Sequence, residues 1–135
     1  MGKPRTIYES RFYDFALDHD HNALWFQWKP ETASLTDDAF KEGLSNYAGY
    51  AIEYRPRHLV VDVRQFHGNV SAETVGSWRD RVIIPRYNKA EISKMATLAA
   101  PGSGPPPSPP DRYDGQSFQS ATFDSEESLN AWLTE

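Results

Sequence analysis

Residues 57–71 read RHLVVDVRQFHGNVS, and this stretch decides the fold. Its apolar run, residues 58–63, is too short and too β-branched for a buried helix, and it follows Pro56, which stops the helical pattern before it. It reads as a central strand. The strand ends in Asp62 and Arg64, a short loop carries His67, and Ser71 stands where its hydroxyl would cap the next helix. In open α/β sheets ligands gather where strand carboxyl ends meet helix amino ends. Asp62, Arg64, His67 and Ser71 are therefore the candidate ligand- or partner-binding residues.

Working upstream, residues 7–17 alternate as a strand with Tyr13, Phe15 and Leu17 on one side. A polar turn, DHDHN at 18–22, leads to a second strand in which Leu24, Phe26 and Trp28 share a face, so an antiparallel hairpin is expected. Trp25 alternates away from them and either covers the second sheet face or marks an exposed contact surface. Thr36 is placed to cap a helix whose buried stripe is Phe40, Leu44, Tyr47, Ala48 and Ala51, with Asp37 and Asp38 at the positive end of its dipole.

Downstream, Ser71 opens a second helix running to about Arg86, with Val75, Trp78 and Val82, together with Ile83, as the inward face and Pro85 in or beyond the last turn. Residues 91–100 read as a strand. PGSGPPPSPP at 101–110 propagates neither helix nor ladder, and 101–117 is expected as a mobile surface loop outside the core. A last strand at 117–123 precedes a helix opened by a capping box of Asp124 and Glu127, with Leu129, Trp132 and Leu133 facing inward. The expected fold is α/β, in the order ββαβαβ, loop, βα, as one domain over residues 1–135.

The 135 residues include no cysteine, which removes disulfides, thiolate metal sites and a cysteine nucleophile, and suits a reducing cytoplasm. No apolar signal core or membrane-length apolar run is present, so a cytoplasmic, non-transmembrane protein is expected. A net charge of -5 argues against nucleic acid as partner. The charge is uneven: residues 55–94 hold eight Lys and Arg against four Asp and Glu, flanked by five against nine in 1–54 and one against six in 95–135. Either the blocks are complementary within the domain, or an anion site lies near Arg64, Arg79, Arg81 and Arg86.

Three phrases, WKPET at 28–32, LVVDVRQF at 59–66 and FDSEESLNAWL at 123–133, together with the element order, resemble the small bacterial SpoIIAA-like proteins of the STAS superfamily. The resemblance implies a mixed sheet with helices packed against it. In family members of the anti-sigma-factor-antagonist type, a serine at the start of the helix after the central strand is phosphorylated. Ser71 most nearly corresponds to it, so the resemblance implies Ser71 as a phosphorylation site, against the alternative that it only caps the helix. The proline segment occupies a region where related proteins often carry a helix over an apolar groove.

Asp18, His19, Asp20 and His21 are favoured as a solvated turn over a metal site, since a stable site needs three or four oriented ligands. Asp62 and Arg64 are spaced for an ion pair or joint contact with a polar ligand. There is no phosphate-cradling glycine loop, nucleophile elbow, HExxH or paired-cysteine pattern, so no cofactor, metal or catalytic residue is assigned. The expectation is a non-catalytic regulatory or protein-interaction module acting through the surface from Arg64 to Ser71. The alternative is a protein that binds a small anionic or apolar molecule, or a lipid, in a groove beside the helices. The aromatic residues also allow a homodimer.

Overall fold

The computed structural model describes residues 4–135, which fold as α/β around one seven-stranded mixed sheet. The strands are β1 (Arg5–Glu9), β2 (Tyr13–Asp18), β3 (Ala23–Trp28), β4 (His58–Asp62), β5 (Lys94–Leu98), β6 (Ser108–Asp111) and β7 (Gln119–Phe123), in the spatial order β1-β2-β3-β4-β5-β7-β6. β3, β4, β5 and β7 are mutually parallel, and antiparallel pairs close both edges. β4 lies at the centre with every residue buried, as its apolar run Leu59, Val60 and Val61 requires when helices cover both faces.

One face is covered by α1 (Asp37–Tyr54), a π-helical segment (Thr74–Ile83) and α2 (Ile84–Lys89), the other by α3 (Glu126–Thr134). Thr36 caps α1, accepting from the Ala39 amide at 3.1 Å, and the predicted stripe from Phe40 to Ala51 is buried. Gly43 lies within that stripe because a Cβ there would sit 3.0 Å from the Tyr13 ring, so the helix packs directly onto the sheet aromatics. The Tyr47 hydroxyl reaches through to the Leu24 and Val60 carbonyl oxygens at 2.5 and 3.2 Å, tying α1 to the two central strands. Complete burial raises its pKa well above the ordinary tyrosine value and keeps it a donor. Trp25 is buried on the opposite face among Val60, Ala96, Leu129 and Trp132, which settles its role as cover for the second sheet face.

Several expectations are corrected. Residues 7–17 are two strands, because Ser10 folds the chain back through hydrogen bonds from its amide and hydroxyl to the Tyr13 carbonyl. The face assigned to the second helix holds only in part: Ile83 is buried and Trp78 packs half-buried against the core under the Lys41 ammonium, but Val75 and Val82 are 41 % and 37 % exposed and Thr74 is buried instead. The cause is the wider i→i+5 coil, seen in the Ile84 amide donating to the Arg79 carbonyl, which displaces residues from an α-helical stripe. Pro85, which has no amide to donate, stands at the change of register near the start of α2 rather than at a helix end.

The 101–117 segment contains β6, where Pro109 and Pro110 are tolerated because it is an edge strand. Nor is the segment untethered. Asn88 donates to the Gly115 carbonyl at 2.6 Å and accepts from the Ser117 amide and hydroxyl at 2.9 and 3.0 Å. α3 is capped by Ser125, which accepts from the Ser128 amide, not by Asp124. β5 is shorter than the 91–100 expected, and β1 and β6 lengthen the element order. No helix among the described residues is long and apolar enough to cross a membrane.

Candidate functional site

The residues singled out at the end of the central strand are brought close in the chain but committed to structural contacts. Asp62 follows Val60 on the α3 face of β4. Its carboxylate takes Arg64 in a bidentate grip, Nη2 to Oδ2 at 2.7 Å and Nε to Oδ1 at 3.0 Å, and also accepts the Arg64 amide at 3.0 Å. Arg64 reaches on to Glu126 in the first turn of α3 at 3.2 Å. His67 is exposed, with its amide donating to the buried Thr32 hydroxyl at 2.8 Å. The Ser71 hydroxyl accepts from the Thr74 amide at 3.3 Å, the geometry of a cap, and the Ser71 amide donates to Asp37 at 3.3 Å. Hydrogen bonding from the Ser71 side chain and amide and from the Thr74 hydroxyl holds the Asp37 carboxyl below its ordinary pKa. In the turn at 18–22 His21 and Asp18 pair at 2.7 Å, and among the described residues no three potential ligands converge on a metal position.

A cavity of about 850 Å³ opens on the other face of the sheet. The size falls in the range of small-molecule sites, roughly 300–1,000 Å³. α1 packs over β2 to β4 on this face, and the 101–117 segment lines the groove beyond it. The floor comes from β4, β5 and β7 through Val61, Met95, Thr97, Ser120 and Thr122, with Leu44 and Phe40 from α1 along one side. Val75, Arg79, Asp80, Ile84 and Tyr87 line it from the π-helix and α2, and Pro105, Tyr113, Asp114 and Gln116 close it from the loop.

The far wall is aromatic. Trp28 and Phe40 stack with their rings parallel and centroids 5.4 Å apart, and Phe66 meets Trp28 edge-on at 5.2 Å. Phe66 folds over this end because Gly68 leaves room: a Cβ there would stand 2.7 Å from the Phe66 ring. The near side is hydroxylated. Ser120 donates to the Gln116 side chain at 3.0 Å, Thr122 lies two residues further along the same strand, and Thr97 of β5 is the register partner of Thr122.

The π-helix, β5 and β7 thus supply a site that the sequence reading passed over. One signal was present: in KMATL and QSATF, Thr97, Ser120 and Thr122 alternate with residues of the α3-covered core, so hydroxyls fall on a strand face expected to be apolar. The chain matches no known protein family, no curated protein and no solved structure.

Proposed function

We propose that this protein is a non-catalytic, STAS-like binding module that takes up a small, predominantly apolar molecule in the cavity between the sheet, the π-helix and the 101–117 segment. The observation that carries this reading is the cavity itself. It is a groove open to the surface, walled by Trp28, Phe40, Leu44, Val61 and Phe66. The STAS-like assignment rests on the three sequence phrases and the element order.

The test is thermal denaturation of the full chain with linear alcohols of increasing length, alongside native mass spectrometry of freshly purified protein. A ligand confined to the folded state stabilises it by about 2.7 kcal/mol at a hundred times its Kd, so a saturable rise in Tm is expected. Thr122→Trp, which fills the floor, should abolish the rise. No alcohol-dependent shift and no co-purified molecule would sink the reading.

A second reading, a protein partner docking on the Arg64 to Ser71 surface, is favoured by the rigidity of that loop. It is pinned through Arg64 to Glu126, through the His67 amide to Thr32 and through the Ser71 amide to Asp37, while His67 stays exposed. A surface already held in one shape loses little entropy on binding. Binding to a partner that His67→Ala weakens without changing Tm would support it.

A further inference from the structure

We infer that the molecule held in the cavity is a monocarboxylate with a hydrocarbon body, lying across the strands with its carboxylate at Tyr87 and Arg79. This rests on the cavity being a binding site and goes on to name the ligand class. The floor changes character strand by strand. One register row runs Phe26, Val61, Thr97, Thr122, and the next runs Leu24, Leu59, Met95, Ser120, so side chains pass from hydrocarbon to hydroxyl between β4 and β7. β4 to β7 is two strand spacings, roughly 10 Å, which suits a medium-length chain or a fused aromatic ring pair with one polar end.

Tyr87 of α2 is 1 % exposed and lines the cavity, and its hydroxyl makes no hydrogen bond among the described residues. Burial raises the Tyr87 pKa and keeps the hydroxyl a donor, which calls for an acceptor on the ligand. The charges acting on that hydroxyl are Arg79 and Arg86, a positive field that favours an anion over a neutral carbonyl. Asp80 holds Arg79 by a single 3.4 Å contact between largely exposed side chains, and such a pair yields readily to a carboxylate in the cavity. Asp114, at the mouth, is exposed and screened.

The experiment compares two matched pairs by isothermal titration of the full chain at neutral pH: decanoate against decanol, and 2-naphthoate against 2-naphthol. At least one acid should bind about tenfold more tightly than its own alcohol, the scale of one charge-assisted hydrogen bond. That acid-to-alcohol ratio should fall about tenfold in Tyr87→Phe and in the exposed Arg79→Gln, which keeps the measurement available if the buried substitution fails to fold. Whichever acid binds more tightly distinguishes an aliphatic from an aryl source. If both alcohols bind as tightly as their acids, the carboxylate assignment is overturned while the cavity reading stands. If none of the four compounds binds, both fall.

Discussion

Val61 and Thr97 are register partners on adjacent parallel strands, and the boundary between the apolar and the hydroxylated halves of the cavity floor runs between them. Exchanging their characters should therefore give unequal results. Val61→Thr places a hydroxyl beside Leu44 and Phe40 and should cost about 1–2 kcal/mol in urea denaturation. Thr97→Val keeps the shape on the side that already tolerates solvent and should change stability by less than about 0.5 kcal/mol, while tightening binding of decanol. Equal costs for the two would show that the floor has no such division.

The Asp62, Arg64 and Glu126 chain predicts an ordered pair of losses. Asp62, whose side chain is 10 % exposed, makes three hydrogen bonds to Arg64, whereas Glu126 is 54 % exposed and makes one. Asp62→Ala should cost about 2 kcal/mol and Glu126→Ala less than about 0.5 kcal/mol. Chemical denaturation of the two variants gives the comparison, and a larger loss for Glu126 would reverse the account of which residue holds Arg64.

His58 makes stability depend on pH in a defined direction. It is 3 % exposed at the start of β4, and burial, reinforced by the charges of Lys94 and Arg57, lowers its pKa to about 4. The unfolded chain holds a proton on this imidazole below about 6.5 while the folded chain does not until about 4. Its contribution is thus complete above 6.5 and is lost as pH falls toward 4, by about 3 kcal/mol over that window. Melting curves across this range should show the decline, and His58→Leu should flatten it.

Ser71→Asp should lower Tm even though aspartate is a good helix cap, because the new carboxylate would stand beside Asp37, which the Ser71 amide and the Thr74 hydroxyl already hold at 3.3 and 3.1 Å. Adding Asp37→Asn should restore the loss. Phosphorylation of Ser71 would meet the same repulsion and remove the cap, so a stable phosphorylated form with unchanged Tm would contradict the geometry.

Asn88 is the anchor of the loop over the cavity, with three hydrogen bonds to Gly115 and Ser117. Asn88→Ala should cost about 1 kcal/mol, since the bonds lie at the surface, and should speed dissociation of a bound fluorescent probe several-fold in stopped-flow measurements. An unchanged dissociation rate would mean that ligands leave by another side.

The sequence alone determined the parts of this protein written in local signals. The central strand at 58–62 and the second hairpin strand at 23–28 follow from apolar runs and alternation, the buried stripe of α1 from its 3.6-residue spacing, and the caps at Thr36 and Ser71 from a hydroxyl three residues before an amide needing a partner. Asp62 and Arg64 were also placed correctly as a pair, because two residues apart on a strand end is a local distance. What the tertiary structure decided is everything that needs several segments at once. An α-helical stripe was the wrong ruler for Val75 and Val82, since the switch to i→i+5 bonding leaves no local mark in TVGSWRDRVI. The proline run became an edge strand only because β7 offered it a partner. The cavity is the clearest case: Val61, Thr97, Thr122 and Tyr87 come from four elements, and a wall of that kind exists only once parallel register aligns the strands and Asn88 ties the loop across them.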